Sequence, residues 1–220
     1  MTQYSAFGTK GNGATGPASS ASYSGSWLAG LAFHVTSSGY YLQQYGYWRA
    51  DSSQSAAPEF ALWIQTAAAA GTYQAGTLTS MSGATAGAWN YVSLATPFLL
   101  STGTVYKIVG GWSNNFSETK NQFGTAGAYI GGIVNGPLTV YSSTVSDGGT
   151  NAIPFGNAYQ GVFSTAGTDP SANLPASTDS DANFWIDLVI GPAAVAVAPA
   201  PSLLVRAKAS VRPGMFYVRS

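Results

Sequence analysis

Trp27-Leu28-Ala29-Gly30-Leu31-Ala32-Phe33-His34-Val35, closed by Ser37-Ser38-Gly39 and followed by Tyr40-Tyr41-Leu42-Gln43-Gln44-Tyr45-Gly46-Tyr47-Trp48, is the stretch on which the fold turns. Two apolar and aromatic runs stand on either side of a Ser-Gly turn. Residues that suit pleated surfaces dominate both, and neither keeps a stripe at helical spacing, so they read as consecutive strands. The same grammar recurs outward from them. Phe60 to Gln65, Trp89 to Leu94, Thr104 to Val109, Ala128 to Val134, Leu138 to Tyr141 and Asn183 to Ile190 are short apolar runs between Gly, Pro, Ser and Asn clusters. The run from Trp89 ends before Pro97, and Ala67 to Ala70 reads as a loop because Gly71 follows. Lys107 falls on the outward phase of its run. Regular short strands with turn signals predict an all-β fold, a jelly-roll-like β-sandwich.

The domain plan follows from where the grammar stops. Residues 1–190 are the sandwich, with a Gly/Ser-rich leading segment over 1–26. Within it GTKGNGATGPASSASYSGS, residues 8–26, reads as a loop laid over a surface. Residues 142–182 are poor in strand signals, and a loop of that length in a compact domain is usually functional or partly mobile. Gly191-Pro192 is a break, and 191–220 form an extended basic and apolar C-terminal arm.

Composition narrows the class. The chain has 220 residues, enough for one large domain with its own core. Charged residues are 7% of it, against about 25% in an average globular protein. Aromatics reach 13%, too much apolar surface for a disordered chain. Lys plus Arg and Asp plus Glu balance at 8 each, without the basic excess of a nucleic-acid binder. The absence of cysteine rules out disulfides and thiolate metal sites, and the single histidine rules out zinc sites built on several. No cofactor is expected. The start, MTQYSAFGTK, reads as lacking a secretory signal. Asp187, Pro192, Pro199 and Pro201 interrupt the most apolar stretch, which argues against membrane insertion.

The balanced charge hides an asymmetry. Residues 1–191 carry four basic and eight acidic side chains, whereas 192–220 carry Arg206, Lys208, Arg212 and Arg219 and no acid. These cations separate the clusters Leu203-Leu204-Val205 and Met215-Phe216-Tyr217. An arm of this kind has no means of burying its own apolar groups. It is expected to anchor on a neighbouring subunit, by strand addition or in apolar pockets.

Candidate chemistry is sparse. His34 is the sole base for a nucleophilic device, and no Gly-x-Ser-x-Gly elbow accompanies it, so it reads as structural. Asp51 and Glu59 flank one loop, Asp179, Asp181 and Asp187 crowd the last strand, and a glycosidase pair among these acids is the weakest reading. Asp187 alternates with apolar neighbours and is expected on an outer face or paired with Arg49. Asp179-Ser180-Asp181, with Asp147, offers oxygen ligands for calcium, but the spacing is common and no metal site is assigned. Aromatics are the abundant resource. Tyr41, Tyr45 and Tyr47 share one phase of their strand, while Tyr40, Leu42 and Trp48 share the other, and only one phase can fill the core. Tyr41, Tyr45, Tyr47 and Trp48 are therefore the expected glycan- or partner-binding set.

Several motifs, taken in order, resemble an uncharacterised bacterial β-sandwich family. It occurs beside glycosidase and cell-wall modules in actinobacteria and in minor tail proteins of their phages. The matching residues are Phe7-Gly8, Pro17, Ala29 to Phe33, Gly39 to Arg49, Leu62-Trp63, Gly87 to Val92, Pro97, Gly103-Thr104-Val105-Tyr106 and Asn183 to Ile190. The likeness covers roughly residues 4–190 and leaves out the basic tail. It implies a jelly-roll-like sandwich, no known catalysis and no established ligand residues. The expectation is a non-enzymatic virion component, a minor tail or surface-decoration protein, assembled in the host cytoplasm and released by lysis. Its partners would be neighbouring virion subunits and cell-wall polysaccharide, with no nucleic acid. The alternative is a carbohydrate-binding accessory module.

Overall fold

The computed structural model describes residues 2–8, 10–18, 25–123, 127–142, 151, 153–155, 160–165, 167–178 and 182–193. The expected arm anchors Leu203, Leu204, Val205, Arg206, Lys208, Arg212, Met215, Phe216, Tyr217 and Arg219 lie outside these residues, as do Asp147, Asp179 and Asp181.

Thirteen strands and no helix occur among the described residues. They are β1 (Tyr4–Ser5), β2 (Trp27–Val35), β3 (Tyr40–Arg49), β4 (Glu59–Ala67), β5 (Ala70–Tyr73), β6 (Thr79–Ser80), β7 (Ala88–Leu99), β8 (Tyr106–Trp112), β9 (Ile133–Asn135), β10 (Leu138–Val140), β11 (Val162–Ser164), β12 (Ser177–Thr178) and β13 (Ile186–Pro192). One sheet runs β1-β13-β3-β7. The other runs β12-β11-β2-β8-β4-β5, with β10, β9 and β6 paired at its margins. All pairings are antiparallel. Along β2, β3, β4, then β7 and β8, the chain alternates between the sheets, the crossing habit of a jelly-roll-like sandwich.

Between the sheets lies one core. Leu31 and Phe33 come from β2, Leu42, Tyr45 and Tyr47 from β3, Phe60 and Leu62 from β4, Tyr106, Ile108 and Trp112 from β8, and Leu188 and Ile190 from β13. Each such side chain contributes about 1.5–3 kcal/mol through burial.

Several local readings change. The alanine run is not a loop. Ala67 pairs with Ala70, so β4 and β5 form a hairpin. β7 passes through Pro97 to Leu99, which is possible because β7 is an edge strand whose outer side needs no donor. Ala128 to Ile130 form turns, and only Ile133–Asn135 is strand. β13 continues past the expected break, with Gly191 and Pro192 paired to Tyr41 and Tyr40.

Parts of the outer faces of both sheets are covered. On the larger sheet, Tyr141 and Ile153 pack over Ala32 and Val105, while Leu174 and Tyr73 pack over Leu28, Trp63 and Val109. Gln160 clasps β2: its amide donates to the Ala32 carbonyl, and its oxygen accepts from the Ala32 N–H, both at 2.7 Å. The Trp63 indole donates to the Pro170 carbonyl at 2.8 Å. Lys107 does point away from the central core, but this cover leaves it 0% exposed. Its stem lies over Gly30, where a Cβ would stand 2.9 Å from Lys107 Cδ. Among the described residues no hydrogen-bond acceptor reaches its ammonium, and burial lowers its pKa from 10.5 to about 7.

Candidate functional site

The four-stranded sheet shows how the outer face is built. Across it, Asp187, Gly46 and Tyr91 form one row of β13, β3 and β7, and Val189, Gln44 and Ser93 form the next. Gly46 is the gap in the first row. A Cβ there would stand 2.5 Å from Tyr91 Cε1, so the missing side chain lets the Tyr91 ring lie across β3. The Tyr91 hydroxyl thereby reaches Asp187 and donates to Oδ2 at 2.8 Å.

Asp187 also accepts from the N–H groups of Ala6 at 2.9 Å, Phe7 at 3.3 Å, Gly8 at 3.1 Å and Leu188 at 2.8 Å. Successive backbone N–H groups wrapped around one acid form a small anion nest. Burial pushes the Asp187 carboxyl above the usual carboxylate range, against hydrogen bonds that favour its charged form. The acid thus clamps the leading segment to the sheet. Further along, Trp89 and Trp48 donate to the carbonyls of Ala14 at 2.7 Å and Pro17 at 2.9 Å, and Phe7 stacks on Trp89 at 5.7 Å. The described part of residues 8–26 is therefore a surface-covering loop, as its composition predicts.

The cover stops at the second row. There a cleft of about 300 Å³ opens between Lys10, Gln44, Tyr91 and Val189. Gln44 donates to Ser93 Oγ at 3.1 Å. Lys10 Nζ donates to Gln3 Oε1, Gln3 donates to Gln43 Oε1 at 2.5 Å, and Gln43 donates to the Pro192 carbonyl at 3.0 Å. This relay ties the lysine to the end of β13. Burial, and then the charge of Asp187, raise the Tyr91 hydroxyl pKa, so the group stays a donor. Tyr91, Gln44 and Lys10 are the polar residues that line the cleft.

The aromatic set expected on β3 is largely not surface. Tyr45 is 0% exposed, stacked on Phe60, and donates to the Thr77 carbonyl at 3.0 Å. Tyr47 is 1% exposed and donates to the Ser55 carbonyl. Trp48 points outward but lies under residues 14–17. Only Tyr41 keeps half-exposure. The phase error has a cause. Val189 pairs with Gln44 while Ile190 pairs with Leu42, so Gln43 is an extra residue on β3. This bulge puts Leu42 on the core face with Tyr45 and Tyr47 and separates Tyr41 from them.

The acid and base candidates occupy separate settings. Asp51 accepts from the Ser53 N–H at 2.8 Å and its hydroxyl at 2.6 Å, a turn-forming role. Glu59 begins β4 and accepts from Ser80 at 2.8 Å, at the rim of a second cleft shared with Ser55 and Ser113. Asp187 is 0% exposed on the other sheet. Arg49 is not its partner, for that guanidinium donates to the carbonyls of Gln54, Ser52 and Ala84. His34 is half-buried with its ring 4.7 Å from Tyr141, and burial lowers its pKa, which favours the neutral imidazole. Among the described residues no three His, Asp or Glu side chains gather for a metal ion.

Sequence reasoning passed over Lys10, Gln44 and Tyr91. Gly46 was the available signal, a glycine inside a strand where another group approaches closely. Its use required the register that aligns it with Tyr91 and Asp187.

No family model matches the chain, and no curated protein does. Among solved structures, it is similar to the clostridial cysteine protease Cwp84 after propeptide cleavage, with a TM-score of 0.43 and 12% identity over 80% of this chain and 38% of that one. It is similar also to the cysteine protease and lectin-like domains of Cwp84, a surface layer associated protein of Clostridium difficile, with a TM-score of 0.42 and 12% identity over 77% of this chain and 32% of that one. The chain spans 38% and 32% of the length of these two structures. It contains no cysteine, so it holds no cysteine nucleophile.

Proposed function

We propose that this chain is a non-enzymatic structural component of a phage virion, a minor tail or surface-decoration protein, whose sandwich contacts host cell-wall glycan. The residues that follow β13, up to 220, anchor it to neighbouring subunits. The observation that carries this reading is what the polar chemistry is used for. Asp187 clamps the leading segment, Asp51 forms a turn, and Arg49 ties three carbonyls. These groups hold a covered sandwich together. The opposite charges of body and tail favour contact between the tail of one subunit and the body of another. The protein would assemble in the host cytoplasm and leave by lysis. Deleting residues 199–220 tests the anchor. Loss of the protein from purified particles is expected, and undiminished incorporation refutes it.

A second reading, a carbohydrate-binding accessory module, is favoured by the cleft of Lys10, Gln44 and Tyr91. Retention of the full chain on cell-wall polysaccharide in the absence of any particle supports that reading, and no retention removes it.

A further inference from the structure

We infer that the cleft between Lys10, Gln44, Tyr91 and Val189 seats one saccharide unit that carries a carboxylate. This rests on the glycan contact in the reading above and names its location and ligand class. The cleft, about 300 Å³, is at the lower end of the range for small-molecule sites, which spans roughly 300–1,000 Å³.

Its walls match the parts of an acidic pyranose. The half-buried Tyr91 ring, held across Gly46 by its hydrogen bond to Asp187, gives a fixed apolar surface for sugar C–H groups. The Gln44 carboxamide offers both a donor and an acceptor to ring hydroxyls. Among the described residues that line the cleft, Lys10 is the charged one. Asp187 is 0% exposed behind Tyr91, so it presents no carboxylate to repel an anion. Lys10 is exposed at the cleft's edge, and its ammonium donates to Gln3 Oε1. An ammonium facing a ligand carboxylate makes a charge-assisted hydrogen bond, which a neutral sugar lacks. The tyrosine is fixed by the clamp beneath it, so little ordering is left to oppose binding.

The test titrates the full chain with glucuronate and, separately, with methyl glucoside, following backbone and side-chain amides by NMR. Glucuronate is expected to bind more tightly than the glucoside and to shift the Gln44 side-chain amide and the Lys10 and Tyr91 backbone amides. Lys10→Ala should weaken glucuronate at least about tenfold, the loss of one charge-assisted bond, and weaken the glucoside far less. Gln44→Ala should weaken both. Both substitutions are at the surface and leave the clamp intact. Shifts centred on Glu59 and Ser80, equal affinity for the two sugars, or an unchanged Lys10→Ala variant overturn the inference. A parallel pull-down on cell-wall polysaccharide separates the two claims. Retention without glucuronate binding sinks the cleft and keeps the glycan contact. Glucuronate binding without retention does the reverse.

Discussion

Replacing Lys107 with methionine should stabilise this fold, and by an amount that changes with pH. The side chains are similar in size, so the cavity over Gly30 stays filled and the main change is the amine. Lys107 pairs across the sheet with Ala32 and Trp63 and its stem lies over Gly30, so none of these described neighbours is charged. The amine titrates near 7 in the fold against 10.5 as an ordinary lysine. At about 1.4 kcal/mol for each pH unit, that difference corresponds to about 5 kcal/mol. The sign follows from the depressed value. Between those two pH values the unfolded chain holds a proton that the fold does not, so stability rises with pH there. The destabilisation is complete below about 7 and gone above the ordinary lysine value. Urea unfolding of both proteins, followed by tryptophan fluorescence at about pH 6, 8 and 10, checks this. The variant should be several kcal/mol more stable at the lowest pH, with the gap closing at up to ~1.4 kcal/mol per unit above neutrality. The tyrosines titrate alike in both proteins, so the difference isolates Lys107. A gap that does not vary with pH would mean the amine is charged and solvated in the fold, and the reasoning fails.

Other perturbations address the clamp and the core. Asp187→Ala should cost about 3 kcal/mol or more, because three N–H groups of the leading segment and the Tyr91 hydroxyl lose their acceptor. Hydrogen exchange at Ala6, Phe7 and Gly8 should then rise selectively, and uniform exchange across the sheet would contradict the clamp. Because the folded-state pKa of Asp187 is raised, its contribution is fully present below the ordinary carboxylate pKa and declines as pH rises through the folded value. Asp187→Asn should abolish that decline, as measured by unfolding at several pH values. Gly46→Ala places a Cβ 2.5 Å from the Tyr91 ring. It should cost about 1–3 kcal/mol by overpacking and weaken glucuronate, whereas unchanged stability and binding would show that Tyr91 is not held there. Tyr45→Phe should cost about 1 kcal/mol by losing its bond to the Thr77 carbonyl and leave sugar titrations unaltered. A binding defect in that variant would reopen β3 as a surface site.

Strand existence was largely legible, because β2, β3, β4, β8 and β13 each send alternating side chains into the core, and β7 packs Val92, Leu94 and Phe98 against it. Strand limits were less so. Pro97 reads as a stop unless β7 is known to be an edge, and Gly191-Pro192 reads as a break unless Tyr40 and Tyr41 are seen beside it. The candidate site was barely legible. Gln43 gives no local sign that it is a bulge, yet it determines which tyrosines of β3 are core. Tyr91 and Asp187 stand 96 positions apart and meet only across Gly46.

By itself the sequence determined the class: an all-β sandwich, free of cysteine chemistry, with an acidic body and a basic tail. Composition and two-residue periodicity decide those matters because they are local properties of the chain. Tertiary structure alone decided what outward-pointing means. Lys107, Asp187, Trp48 and His34 all alternate away from the inter-sheet core, and all four are wholly or partly covered by segments distant in sequence. Alternation fixes which side of a sheet a residue faces. Whether that side meets water depends on which distant segment folds over it, and no local pattern encodes that.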